Sequence, residues 1–554
     1  MSDQPTPPEA PSMLERINSR RPLSPGCEQQ LLQFGRYALV ALLVFFCVAR
    51  FVNLTLDFPP GLTTDGDALT DEGLYAHNAI NHYLTGDWYV ENDFNQVVSL
   101  PVLQVIQTWC FQIFGFGLGT ARSIVVVFSF LYIAGLYVLM RRWSGHWTAF
   151  AAAALLAGSH LHFAFSRVSV AEAPMAAFLV WAFVFGAWAR GKYAYLFTGL
   201  AAVAFTAALL TKTNALFAVP LLGGIVIAQE LEWRRILFKF LVATGVFLVL
   251  MGTYFFWLVR PNMDEFLYFY SINVGVTSSY HPADMWREFW GIVAQTPNME
   301  FLGAYALPIF VIPLLFLSRT FRTNPLFYIA IAWYVLYLVL FSTYGRFHNR
   351  FFVAIVAPVS MLMAIVMKEV WDNRDRFWPA FYGFGIIFTL TFVVNFWHVG
   401  SYLTYTKNSF NEAAQKIRRI MDADPDSNNV LMGHTAASFA LRNGVIPRHD
   451  RYGVTPLEER LRTFRPSYTV SEMAIRNFPL EPYYQHREIL EAYARFEVVG
   501  EFDVLENYRH HPIVLYKVHP HDPPEEPEEP EELDEPDEDT EEEPAEEVEE
   551  NEEE

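Results

Sequence analysis

Apolar runs about 20 residues long, the length needed to cross a bilayer as a helix, recur along most of this chain. They fall at residues 37–56, 123–140, 147–162, 174–188, 195–210, 215–228, 238–259, 301–317, 325–341, 351–367 and 377–397. The pattern predicts about eleven spans. Between them, basic residues gather at every second junction: Arg16, Arg20, Arg21 and Arg36, then Arg141 and Arg142, then Arg190 and Lys192. Arg234, Arg235 and Lys239, then Arg319 and Arg322, then Lys368, Arg374 and Arg376 continue the series. This alternation predicts a cytoplasmic amino terminus and, after an odd number of spans, an extracytoplasmic carboxy-terminal region.

The outer segments are the long ones. Residues 57–122, 260–300 and everything after the last span lie on that face, and irregular, amphipathic sequence is where chemistry concentrates. Residues 1–34 are expected to be a disordered cytoplasmic leader with no cleavable signal, so the first span stays as an anchor. Residues 35–399 form the transmembrane domain. In residues 400–520, strand-like patterns at 429–432 and 513–518 alternate with an amphipathic helical one at 488–496, predicting a small α/β domain. Gly433-His434 comes directly after the first strand, but no glycines continue at the nucleotide-fingerprint spacing. The expected fold class is an all-α polytopic membrane protein with a small extracytoplasmic α/β domain.

Composition changes this picture in one place. The net charge of -21 suggests an acidic protein, yet 22 of the 60 acids lie in the last 34 residues, leaving 38 against 39 Lys and Arg. The folded part is nearly neutral, and the tail at 521–554 is expected to be disordered, solvated by its own repulsion. Nothing basic enough for a nucleic acid partner remains. Three scattered cysteines, Cys27, Cys47 and Cys110, exclude a disulfide framework or a zinc site.

Candidate chemistry gathers in the first outer segment, where Asp65, Asp67, Asp71 and Glu72 fall within eight residues. Thr70 or Asp71 can cap a helix beginning there, with both Asp71 and Glu72 at its positive end and Tyr75 one turn after Asp71. A plain helix cap is the competing reading of the Asp-Glu pair.

Residues downstream of the pair give it a context. Tyr75-Ala76 come soon after Asp71-Glu72, then an amphipathic stretch at 100–117, and Ala121-Arg122 enters the second span. Phe165-Ser166-Arg167 with Glu172 and Pro174, Thr211-Lys212, and His348-Asn349-Arg350-Phe351-Phe352 stand at later outer junctions. In this order and sidedness the chain resembles the GT-C glycosyltransferases, in their protein-mannosyltransferase and lipid A aminoarabinose-transferase branch, over roughly residues 34–400. The resemblance implies membrane-parallel outer helices and a catalytic acid in the first outer loop. No outer segment is long enough for the β-trefoil insert of the eukaryotic mannosyltransferases, so a bacterial-type enzyme of the inner (plasma) membrane is the closer match.

On this resemblance the substrates are a polyprenyl-phosphate sugar and an extracytoplasmic acceptor: protein, lipid or polysaccharide. Asp71 is the expected base for the acceptor, Glu72 assists by orientation or charge, and transfer inverts the anomeric carbon. Tyr75, Asp65, Asp67 and Glu172 are supporting residues. Arg122, Arg167, Lys212, Arg346, His348 and Arg350 stand at outer span ends, against the positive-inside rule, and are the candidates to grip the donor phosphate. Snorkelling to headgroups is the other reading of these bases.

Asp65 and Asp67 are the metal ligands if there is any metal; they lack calcium-loop spacing, and a metal-independent reaction with no cofactor is the expectation. Tyr268, Tyr270, Tyr280, Trp286 and Trp290 in the 260–300 segment suit either sugar stacking or membrane-interface anchoring. Two other functions stay open. A transporter or flippase calls for inverted repeats and broken, charged spans, of which no clear sign is present. A catalytically silent GT-C-like assembly partner differs only in lacking activity.

Overall fold

The first span begins where sequence chemistry tells a helix to begin. Ser24 accepts a hydrogen bond from the Cys27 amide, and Pro25 occupies the first helical position. The structure is a computed structural model that describes residues 24–57, 71–230, 232–276, 283, 286–287, 324–342, 349–372, 378–472, 482–506 and 509–521. Asp65, Asp67, Arg346, His348, residues 1–23 and the acidic tail beyond His521 lie outside the described residues, as does the expected span at 301–317; residues 25–34, expected to belong to a disordered leader, are instead the first turns of the first helix, started by the Ser24 cap.

Among the described residues, fourteen α-helices of six residues or more build the membrane part and the outer loop. They are α1 (Pro25–Ala49), α2 (His77–Thr85), α3 (Pro101–Phe114), α4 (Leu118–Ser144), α5 (His146–Gly158), α6 (His160–Phe165) and α7 (Glu172–Trp188). α8 (Ala194–Thr211), α9 (Val219–Ile227), α10 (Trp233–Tyr254), α11 (Met263–Val276), α12 (Pro325–Ser342) and α13 (Val353–Asp372) come next. α14 (Trp378–Thr404) is the last span, and it leads into α15 (Ser409–Ala423) of the carboxy-terminal domain.

Among the described residues, seven helices are long and apolar enough to cross a membrane, and three shorter apolar ones accompany them. The chain is an integral membrane protein. Each expected span within the described residues coincides with a helix. Past its exposed first turn, α5 is buried on every side, as its alanine run permits, with Ala151 to Ala154 at most 1% exposed. Gly135 of α4 lets α7 come so close that a Cβ there would stand 2.5 Å from Val180.

Two boundaries differ from expectation. The first helix stops at Ala49 rather than reaching residue 56, because Arg50 turns inward, wholly buried, onto the carbonyls of Phe46 and Ala157 and the Ser166 hydroxyl. The expected loop at 260–300 begins instead as helix: a π turn at Phe255–Val259 and a 3-10 turn at Arg260–Asn262 absorb Pro261, and α11 carries on to Val276.

The carboxy-terminal domain holds a five-stranded mixed sheet in the order β2-β1-β3-β5-β4, from β1 (Val430–Met432), β2 (Ile446–Arg448), β3 (Tyr468–Glu472), β4 (Ala494–Glu506) and β5 (Arg509–Pro520). β1 runs parallel to β2 and β3, and β5 is antiparallel to β3 and β4. Helices α16 (Ala436–Asn443), α17 (Leu457–Phe464) and α18 (Pro482–Tyr493) complete it. The helical pattern expected over 488–496 therefore ends at Tyr493, and Ala494 to Phe496 open β4, paired with Val518 to Pro520 of β5.

This domain has a small hydrophobic cluster of its own around Met432, Leu457 and Leu461, but its larger one is shared. One hydrophobic cluster joins Ala76, Ala79, Ile80, Phe111 and Ala121 of the outer loop and α4 to Phe410, Ile417, Phe439 and Leu441. Asp57, just past the first span, accepts hydrogen bonds from the Ser409 hydroxyl at 2.7 Å and the Phe410 amide at 3.3 Å, so it caps α15 from 352 residues away.

Candidate active site

The outer loop places its acidic pair on a single helical turn. Asp71 has helical torsions (φ -68°, ψ -35°) and its side chain makes no cap hydrogen bond, so the expected capping role is not the one it plays; a cap needs extended backbone. The Tyr75 amide donates to the Asp71 carbonyl at 2.9 Å, which sets Tyr75 one turn on, as expected. Successive helical residues diverge by about 100° around the axis. Asp71 and Glu72 therefore look in different directions and meet different partners.

Glu72 is wholly buried and fully engaged. Arg122 of α4 approaches it in bidentate fashion, Nε to Oε1 at 2.6 Å and Nη2 to Oε2 at 2.9 Å. The Ser169 amide donates to Oε1 at 3.0 Å, and Arg442 of α16 donates to Oε2 at 3.0 Å. Burial pushes this carboxyl up, but the Arg122 guanidinium, then Arg442 and the Ser169 amide, more than offset it and hold it below the ordinary range. A carboxylate with both oxygens occupied and no exposed surface cannot reach an acceptor; its task is to fix the turn.

Asp71 faces the ends of three helices that meet here, the starts of α7 and α13 and the end of α8. Its carboxylate pairs with Arg350, on the turn Asn349–Phe352 before α13. Arg350 Nε also stands 3.2 Å from Oε1 of Glu172, the first residue of α7. Lys212, which ends α8, pairs with that same Glu172 oxygen. Its Nζ lies 3.5 Å from the Tyr75 hydroxyl and 4.8 Å over the Phe351 ring. Five predicted site residues thus meet in one cluster, and exposure separates them: 24% of the Asp71 side chain is open, against 2% for Glu172.

The other predicted cations do different work. Arg122 Nη1 donates to the Leu54 and Leu56 carbonyls at 2.7 and 2.9 Å, and Arg167 donates to those of Val52 and Asn53. Both splint the segment leaving the first span, with Arg167 also lying over the Phe163 and Tyr402 rings. Arg122 and Arg167 thus hold backbone carbonyls of the segment after the first span, whereas Arg350 pairs with the open carboxylate and Lys212 reaches the cluster through Glu172 and Tyr75.

Helix α3 is tied to the site through Ser169. Trp109, Ile113 and Phe114 are exposed, while its covered face mixes Gln104, Gln107 and Thr108 with Leu103 and Phe111. The exposed apolar side chains suit a helix lying along a membrane surface. Gln107 donates to the Ser169 hydroxyl at 2.9 Å, linking α3 to the residue whose amide holds Glu72.

Sequence reasoning missed the partners that come from the carboxy-terminal domain. Besides Arg442, a second seam forms where Asp93 of the outer loop receives His77 Nε2 at 2.9 Å and the His449 amide at 3.0 Å. Arg448 adds a bond to Asn81 at 2.8 Å. A buried Asp or Arg with such partners carries no local signature, since the pairs between loop and domain lie more than 350 residues apart. Among the described residues no group of three or more His, Cys, Asp or Glu could hold a metal.

Residues 99–257, from the start of α3 to the end of α10, match the family of dolichyl-phosphate-mannose-protein mannosyltransferases. The structure superposes on ArnT from Cupriavidus metallidurans in the apo state, with a TM-score of 0.57, 15% identity, and coverage of 86% of this chain and 97% of that one. The chain has the GT-C fold. The same ArnT bound to undecaprenyl phosphate gives a TM-score of 0.56 at 15% identity, with 86% and 97% covered. The oligosaccharyltransferase AglB from Archaeoglobus fulgidus, in complex with an inhibitory peptide and a dolichol-phosphate, gives 0.49 at 12% identity, with 84% and 73% covered. No curated protein shows significant similarity in sequence. In this GT-C fold, the matched stretch holds Arg122, Arg167, Glu172 and Lys212, while Asp71 and Arg350 lie outside it.

Proposed function

We propose that this protein is a membrane glycosyltransferase that moves a hexose or related sugar from a polyprenyl-phosphate donor to an acceptor on the non-cytoplasmic side. The observation that carries the reading is the cluster of Asp71, Arg350, Glu172, Lys212 and Tyr75, in which a partly open carboxylate pairs with Arg350 and Glu172 joins Arg350 to Lys212 where the span ends meet. Its support from outside the chain is the match to the mannosyltransferase family and the likeness to an ArnT that binds undecaprenyl phosphate.

In this reading Lys212 and Arg350 hold the donor phosphate at the membrane boundary. The acceptor oxygen or nitrogen attacks the anomeric carbon from the face opposite the phosphate, and its proton passes to Asp71. The bond from the anomeric carbon to the phosphate oxygen breaks, and the polyprenyl phosphate leaves with the charge that Lys212 and Arg350 stabilise. One displacement inverts the anomeric centre. Arg350 now joins Asp71 to Glu172, so an arriving phosphate competes for it and frees Asp71 to face the acceptor. No metal or cofactor is assigned a part.

The test is transfer from a panel of radiolabelled polyprenyl-phosphate sugars in proteoliposomes, with membrane extract supplying acceptors. The reading expects transfer by the wild type and its loss in Asp71→Asn with donor binding retained. Wild-type protein that moves no sugar from any donor sinks it and leaves a transporter or a silent assembly partner.

A further inference from the structure

We propose that Arg442, in the carboxy-terminal domain, is a positioning residue for Asp71 that acts through Glu72; the inference rests on the function proposed above. Three features of the contact carry it. First, the Arg442 guanidinium is oriented by its own domain: it lies 3.7 Å over the Phe410 ring of α15, and Nη1 donates to the Ser438 carbonyl at 2.8 Å. It is thus held ready before it meets the loop, and Nη2 then donates to Glu72 Oε2 at 3.0 Å, with 2% of the side chain exposed.

Second, the next residue is gripped by the same helix. The Gly73 amide donates to the Ser438 hydroxyl at 3.1 Å, and a Cβ at Gly73 would stand only 2.2 Å from the Ser438 amide nitrogen. No side chain fits there, so the approach of α16 to the turn is set by glycine. Third, Glu72 is held from opposite parts of the chain, by Arg122 of α4 in the membrane domain and by Arg442 in the outer domain. Residues 72 and 73 are locked to α16, residue 71 precedes them on the same turn, and its carboxylate is the open one. A shift of the domain therefore turns the base.

This gives the outer domain a part in the chemistry: it completes the shell that aims Asp71. A misplacement of about 1 Å at a reacting group costs about a hundredfold in rate. The experiment uses the full-length protein in proteoliposomes and compares wild type, Arg442→Ala and Arg442→Lys for kcat, for donor KM, and for amide hydrogen exchange at residues 71–85.

Arg442→Ala is expected to lower kcat by about a hundredfold with donor KM within about twofold, and to speed exchange at residues 72–76. Arg442→Lys keeps the charge without the second donor and is expected to fall between the two, which an unfolded domain would not allow. A kcat within about twofold of wild type in Arg442→Ala, or a rise in KM at unchanged kcat, overturns the inference. Exchange unchanged at residues 72–76 overturns it too. Wild-type protein without transfer activity overturns the proposed function instead, and the exchange readout still decides whether Arg442 holds the turn.

Discussion

Asp71 and Glu72 are neighbours of the same chemical type, and the structure gives them opposite surroundings. Glu72 is sealed between two guanidinium groups and a backbone amide, with no exposed surface. Asp71 opens onto the outer ends of the spans, partly exposed and paired with Arg350, which Glu172 shares. One carboxylate is held wholly within the protein, and the other keeps open surface. Partners, not residue type, decide which task a carboxylate takes.

The contrast can be broken from either side. The largest effect is expected from Glu72→Ala, which leaves Arg122 and Arg442 buried without their counter-charge and costs about 3–5 kcal/mol. Thermal unfolding of the purified protein measures it, and a transition unchanged from wild type would mean that the pair is not structural. Asp71→Asn is expected to do the reverse, lowering transfer by about 10²–10⁴-fold while the unfolding transition stays in place. Transfer that survives this change sends the base assignment elsewhere in the loop.

Lys212→Gln should show a smaller effect. Loss of one charge-assisted bond to phosphate, about 1.5–3 kcal/mol, corresponds to roughly a tenfold to hundredfold weaker donor, read as KM or by direct binding. An unchanged donor affinity would confine Lys212 to its pair with Glu172.

The smallest effect concerns pH and the outer domain. Burial, with Arg451 nearby, pushes His434 down to about 4, and burial holds His449 well below the ordinary histidine value. Between about 6.5, where free histidine titrates, and 4, the unfolded chain takes up protons that the folded domain refuses, so stability falls as pH falls. Asp450, which burial pushes up to about 6, opposes this below pH 6 and offsets one of the two histidines. The domain is expected to melt at a lower temperature at pH 5 than at pH 7, and His434→Gln should flatten that dependence. A melting temperature that rises on acidification contradicts the assignment.

How much of this was legible varies with how local the signal is. The spans were readable because each is a run of apolar residues whose length is set by the bilayer. The amphipathic stretch at 100–117 appeared as α3 because its periodicity is its own. Boundaries governed by distant contacts were not readable: the first helix ends at Ala49 because Arg50 bonds to Ala157 and Ser166, and no neighbouring residue announces that. Lys212, Arg350 and Glu172 could be picked as polar residues at the outer ends of spans. Their meeting with Asp71 could not, since Arg122 and Arg167 looked alike in sequence and were drawn to backbone carbonyls instead.

By itself, then, the sequence determined the membrane class, the spans, the acidic pair and the cations around it, because hydrophobic length and charge sidedness are local properties that the bilayer reads directly. Only the tertiary structure decided which acid is open and which is sealed, and that the outer domain shares a core and a salt bridge with the first outer loop. Those outcomes depend on residues hundreds of positions apart being brought to 3.0 Å by packing. Hydrogen bonds and ion pairs of that kind are set by the fold as a whole, so no window of sequence contains them.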